Sequence, residues 1–126
     1  MSIRGGYSMT NQAYNLGFER IGQRVTIWPL AKIVSPERIS IGDSVIIDDF
    51  VFIMGGEKTI IGSYVHIASF TSITGGGEFI MEDFSGLSGG VRVYTGNEDY
   101  SGASMTNPTV PHPFRIPLRS SVKIKK

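Results

Sequence analysis

Residues 60–79 read IIGSYVHIASFTSITGGGEF, with isoleucine at 61, 67 and 73. A step of six fits neither the 3.6-residue period of a helix nor the two-residue period of a strand. Widening the window exposes a longer period of twenty. Ile21-Gly22, Ile41-Gly42 and Ile61-Gly62 recur, with a weaker Met81-Glu82. Six residues on stand Ile27, Ile47, Ile67 and Leu87, and six further stand Ile33, Ile53, Ile73 and Val93. Each block is therefore three hexads plus two extra residues. The extra residues fall in turn-rich clusters at 35–38, 55–58, 75–78 and 95–98, including Gly55-Gly56 and Gly75-Gly76-Gly77. A second set is small or β-branched: Val25, Val45, Val65 and Ser85, then Ala31, Val51, Thr71 and Val91.

A chain that returns to the same place every twenty residues, with three equivalent inward positions per circuit, is a coil with three flat sides. Short strands of successive circuits then pair in parallel, about 4.8 Å apart. The aliphatic residues stack inside as columns, each buried Ile contributing on the order of 1.5–3 kcal/mol. Glycine after the inward isoleucine reads as a corner where the chain bends. The prediction is an all-β parallel β-helix of about four triangular coils over residues 17–126, preceded by a segment 1–16.

Composition agrees. Gly is high at 16, and Ile, Val, Phe and Thr fill the spaces between, a mix that favours strands and turns. Cysteine is absent, which excludes disulfides, thiol nucleophiles and thiolate metal sites. A net charge of +1 gives no global attraction to nucleic acid. The N-terminal stretch MSIRGGYSMTNQAYNLGFERIG has no apolar core of signal-peptide length, and no 18-residue apolar run occurs, so no membrane partner and a cytoplasmic location are expected.

The repeat breaks where a fifth circuit should open. NEDYSGASMTNPTVPHPFRIPLRSS carries Pro108, Pro111, Pro113 and Pro117 and keeps no period. Val122-Lys123-Ile124 then matches the layout of Ile39-Ser40-Ile41 and Thr59-Ile60-Ile61. Residues 97–120 read as a loop extruded from the coil, without strands of its own, and 121–126 as its return. Long loops of this kind carry function.

The hexads over residues 17–98, with the return at 122–124, resemble the hexapeptide-repeat acyltransferase family, whose fold is the left-handed parallel β-helix. The handedness is implied by that resemblance alone. The stretch YTGNEDYSGASMTNPTVPHPFR, beginning beside Thr95-Gly96, is similar to sugar acyltransferases of surface-polysaccharide pathways and of the galactoside and maltose acetyltransferase branch. The resemblance implies a homotrimer that moves an acetyl or other acyl group from acetyl-coenzyme A to a hydroxyl or amine of a sugar or nucleotide-sugar. It makes His112, the one histidine of the loop, the candidate general base. Where that branch has His directly after Thr-Gly, this chain has Asn97. Family members continue for several coils past this point and form the acyl-donor groove along them. The alternative is accordingly a shortened, non-catalytic β-helix that serves as a binding or assembly module.

A general base must titrate near neutrality and reach the acceptor. His112 is the first candidate and His66 the second; as plain alternatives, one is a surface loop residue and the other an interface residue. His66 follows the column Thr26, Ile46, His66, Gly86, one residue before inward Ile67, and so faces outward. Asn97, Glu98 and Asp99 open the loop and are candidates for binding sugar hydroxyls, or a solvated turn. A catalytic zinc in a site of three histidines has only His66 and His112 to draw on, so no metal is expected. The triple glycine precedes no helical pattern and reads as a corner rather than a phosphate loop. The basic run Arg115, Arg119, Lys123, Lys125 and Lys126 either attracts phosphates or blunts an exposed strand edge, the second reading being preferred. Finally, the outer-corner column Leu30, Phe50, Phe70, Gly90, with Ile46 and Phe52 beside it, forms an apolar patch suited to a subunit interface.

Overall fold

The structure, a computed structural model, describes residues 13–98, 109, 111 and 117–126. Each twenty-residue block folds as one coil of three short strands. The first coil holds β1 (Arg20–Ile21), β2 (Val25–Ile27) and β3 (Lys32–Val34); the second holds β4 (Ile39–Ile41), β5 (Val45–Ile47) and β6 (Phe52–Met54). The third holds β7 (Lys58–Ile61), β8 (His66–Ile67) and β9 (Ser72–Thr74), and the fourth β10 (Glu78–Met81), β11 (Gly86–Leu87) and β12 (Arg92–Tyr94). A 3-10 turn, Pro36–Arg38, makes the first of the wide corners. Beyond β12 come β13 (Gly96–Glu98), β14 (Pro117–Arg119) and β15 (Ser121–Ile124).

The strands stack into three parallel sheets. Sheet A runs β1-β4-β7-β10-β15, sheet B β11-β8-β5-β2 and sheet C β12-β9-β6-β3. The register is the repeat itself: Ile21 pairs with Ile41, Ile41 with Ile61, Ile47 with Ile67, and Ile53 with Ile73. Backbone ladders join successive coils, as in Asp48 N–H to Ile67 O at 3.0 Å and Ala68 N–H to Leu87 O at 3.0 Å. The molecule is a parallel β-helix. Ile47, Ile53, Ile67 and Ile73 are 0–1% exposed, at the core of the prism. A further inward column, Ile39, Thr59 and Phe79, is equally buried. Thr59 is tolerated there because its hydroxyl donates to Gly55 O at 2.9 Å.

Glycine after the inward isoleucine is not what turns the chain. The left-handed backbone falls two residues later, at Arg24, Ser44, Tyr64 and Phe84, with φ of 55–60°. Gly22, Gly42 and Gly62 are needed for close approach: a Cβ there would collide with Asp43 Oδ1, Ser63 Oγ and Asp83 Oδ1 of the next coil and with that coil's backbone. Those side chains accept N–H bonds from the coil before: Gln23 to Asp43 Oδ1 at 2.8 Å, Asp43 to Ser63 Oγ at 3.0 Å, and Ser63 to Asp83 Oδ1 at 2.8 Å. The amides of Ser44, Tyr64 and Phe84 return bonds to the carbonyls of Gln23, Asp43 and Ser63. Each corner is thus a reciprocal clasp between neighbouring coils.

At the first coil Ala13 is fully buried, Phe18 packs on the core and the Tyr14 hydroxyl donates to Gly22 O at 2.7 Å. At the far end β15 returns in register with β10, Phe79 beside Val122 and Met81 beside Ile124. The segment 97–120 differs from the expectation of a loop without strands. Its ends pair as an antiparallel ladder, Gly96 with Arg119, Asn97 with Leu118 and Glu98 with Pro117. Proline is tolerated in β14 because it lies on the edge of a two-stranded ladder.

Candidate functional site

The loop leaves the prism at the wide corner between sheets C and A, and the glycine triplet makes room for it there. Cβ atoms at Gly75 and Gly77 would collide with the backbone of Thr95, Gly96 and Ser120, and one at Gly76 would lie 2.8 Å from Arg119 Nε. Gly75 and Gly76 also have φ of 109° and 77°, which glycine adopts without steric cost. Buried Thr95 anchors the exit: its Oγ1 donates to Thr74 O at 3.0 Å and accepts from Gly77 N–H at 2.8 Å. Ser120 N–H donates to Thr95 O at 2.7 Å, which holds the return strand on the exit strand. Beside this neck lies a cavity of about 400 Å³ lined by Tyr94, Gly96, Leu118, Arg119 and Ser120.

A second constellation lies on sheet B, the face opposite that corner. His66 Nε2 meets Asp48 Oδ2 of the preceding coil at 2.9 Å. An ionised carboxylate can only accept, so Nε2 carries the proton in the neutral ring and Nδ1 keeps its lone pair. Nδ1 has no hydrogen-bond partner among the described residues. Both edges of this face carry aromatic stacks. Phe50 and Phe70 stack at 5.3 Å and 11° on one side, and Tyr64 and Phe84 at 4.8 Å and 2° on the other. All four rings are more than half exposed, and so is Leu30 of the predicted corner column. Phe52 is half-buried on sheet C, so the patch read from the sequence bends around a corner instead of lying on one flat face.

His112 and Asp99 lie outside the described residues. Asn97 and Glu98 stand in β13, at the neck. His66 is outward and exposed as expected, and its Asp48 partner was not anticipated. The Tyr64–Phe84 stack was also missed, although the column Arg24, Ser44, Tyr64, Phe84 is legible at the same twenty-residue step. The basic run divides: Lys123 Nζ lies 3.8 Å from Glu82 Oε2, and Lys126 Nζ 5.6 Å over the Phe84 ring. Arg119 instead lines the neck cavity. Among the described residues no group of three or more His, Cys, Asp or Glu could hold a metal ion. No helix among them is long and apolar enough to cross a membrane.

No protein-family model matches the sequence. The chain is 40% identical over 104 residues to the dTDP-4-amino-4,6-dideoxy-D-glucose acyltransferase of Escherichia coli, a match that spans 82% of this chain and 54% of that protein. The chain thus spans about half the length of the curated relative it matches. Its backbone is similar to that of AntD, an N-acyltransferase from Bacillus cereus. An AntD variant in complex with dTDP-4-amino-4,6-dideoxyglucose and coenzyme A superposes with a TM-score of 0.84 at 37% identity, over 95% of this chain and 63% of that one. AntD in complex with dTDP and 3-hydroxybutyryl-CoA gives a TM-score of 0.84 at 36% identity, over 98% of this chain and 65% of that one. With twenty-residue coils, stacked inward isoleucines and a likeness in both sequence and backbone, the chain belongs to the hexapeptide-repeat β-helix acyltransferase family.

Proposed function

We propose that this chain takes part in transfer of an acyl group from acyl-coenzyme A to the amine of a dTDP-linked amino sugar, within a cytoplasmic homotrimer. The observation that carries this reading is that the match to AntD spans both the coils and the loop neck, and AntD binds coenzyme A together with such a sugar nucleotide. Transfer forms a C–N bond and breaks the thioester C–S bond. The attacking nitrogen gives up a proton, and the departing thiolate takes one to leave as coenzyme A thiol. Nδ1 of His66, with Nε2 tied to Asp48, can accept that proton, and His112 of the loop is the other candidate base. The donor is an acyl-coenzyme A; a 3-hydroxybutyryl group, as bound by AntD, is weighed against the simpler acetyl group.

Two features favour a trimer. In a triangular prism the neck corner and sheet B lie on opposite sides, so one subunit cannot bring His66 to the neck, whereas a neighbouring copy can. The stacked rings on both edges of sheet B, with exposed Ile46 between them, also supply the apolar surface such a contact needs. The test incubates the protein with dTDP-4-amino-4,6-dideoxyglucose and either 3-hydroxybutyryl- or acetyl-coenzyme A, and follows thiol release and the mass of the sugar product. An N-acylated sugar is expected, with kcat lowered roughly 10²–10⁴-fold by replacing the true base, His66→Ala or His112→Ala. Absence of product with either donor, from protein that remains folded, refutes the reading and favours the non-catalytic module.

A further inference from the structure

The neck cavity has a composition that the acyl-transfer step leaves unused. Arg119 enters it from β14, and its Nε donates to Gly76 O at 3.0 Å. That bond orients the guanidinium plane while leaving the two Nη groups, which have no hydrogen-bond partner among the described residues. Gly76 is what permits this seat, since a Cβ there would lie 2.8–3.3 Å from the guanidinium atoms. Of the neighbouring lysines, Lys123 lies near the Glu82 carboxylate and Lys126 over the Phe84 ring. Arg119 is therefore a pre-oriented cation at a cavity whose lining, among the described residues, holds no acidic side chain. On the same wall Tyr94, 64% exposed, presents a ring with no described aromatic neighbour.

A fixed guanidinium fork matches the paired oxygens of a phosphate, and an exposed ring offers a stacking surface to a base. The cavity's size, about 400 Å³, lies within the range of small-molecule sites. We propose that this cavity is a nucleoside-diphosphate site in which Arg119 holds the diphosphate and Tyr94 borders the base. The proposal deepens the acyltransferase reading and rests on it for the identity of the ligand, because the acceptor and coenzyme A both carry a diphosphate on a nucleoside.

The test is calorimetric titration of the full chain with dTDP, thymidine, inorganic pyrophosphate and coenzyme A, for the parent, Arg119→Gln, Arg119→Ala and Tyr94→Ala. Arg119→Gln keeps a donor for Gly76 O while removing the charge, and circular dichroism checks that each variant stays strand-rich. The expected result is dTDP affinity lowered about 10- to 100-fold by both Arg119 variants. Thymidine should bind weakly and indifferently to Arg119, and Tyr94→Ala should weaken dTDP more than pyrophosphate. Loss of affinity for coenzyme A alone would support the site and assign it to the donor. Pyrophosphate binding that depends on Arg119, with neither nucleotide bound, would refute the nucleoside-diphosphate site, while the acyltransferase reading stands or falls on the product assay above. Equal affinities for every ligand in the parent and both Arg119 variants, or no binding at all, overturn the proposal.

Discussion

Replacing Phe70 by glycine separates what the exposed rings do within one chain from what they do between chains. Phe70 sits in the left-handed region at φ 64°, is 64% exposed and stacks on Phe50 at 5.3 Å. The left-handed conformation costs a side-chain-bearing residue about 1–2 kcal/mol, which glycine relieves. Against that gain, glycine adds about 0.5–1 kcal/mol of unfolded-chain entropy, and the lost ring contact removes about 0.5–1.5 kcal/mol. The terms nearly cancel, so the folding stability of an isolated chain should change by no more than about 1 kcal/mol. At an interface the balance differs, because a central aromatic truncation costs about 2 kcal/mol or more per contact. A closed trimer repeats the contact three times, so the dissociation constant for the whole trimer should rise by about 10⁴. Sedimentation velocity across a micromolar concentration series reads the assembly, and urea melts of dilute samples read the fold. A parent that is monomeric at every concentration, or a variant that assembles as the parent does, refutes the interface. A loss above about 2 kcal/mol in the monomer refutes the accounting of backbone strain.

Ile67→Ala should cost about 2–5 kcal/mol in denaturant unfolding, because Ile67 is fully buried between Ile47 and Leu87 and coils stacked above and below cannot close the void; a loss below about 1 kcal/mol would contradict the column packing. Gly62→Ala should cost about 1–3 kcal/mol, since its Cβ meets the backbone and carboxylate of Asp83, whereas Gly86→Ala, with one neighbour at 3.3 Å, should cost less than about 1 kcal/mol. Equal melting temperatures for the two alanine variants would show that close approach is not what selects glycine.

The coil was legible because every equivalent residue is repeated at a fixed step, so a column such as Ile41, Ile61, Met81 is visible without coordinates. What escaped depends on geometry that the period does not contain. The role of Gly42 was misread because the residue that excludes a side chain there, Ser63, lies twenty-one positions away. The Asp48–His66 pair joins residues eighteen apart, a diagonal across two strands rather than a step along a column. Arg119 looked like one of several tail cations. Its place was decided by the chain's return along β13 and by the bare backbone of Gly76, and no repeat marks either. The Tyr64–Phe84 stack is the exception, since the same column reading that found Phe50 and Phe70 would have found it.

The corner clasp has a consequence for how such a chain can change its length. The Gln23 amide is held by the Asp43 carboxylate, and the Ser44 amide is held in return by the Gln23 carbonyl; the same exchange links Asp43 with Ser63 and Tyr64, and Ser63 with Asp83 and Phe84. Coupling is therefore between nearest neighbours, and no coil contributes hydrogen bonds to a coil two steps away through these corners. A deletion or duplication of one full period leaves each surviving corner with an equivalent partner, and the aliphatic columns slide into the same alignment. A change of one residue inside a strand instead turns inward side chains out and puts the following corner out of step with its neighbour. Length in this architecture is quantised: viable variants should differ by whole turns, with irregular additions confined to sites such as the neck, where the chain leaves the stack and comes back in step.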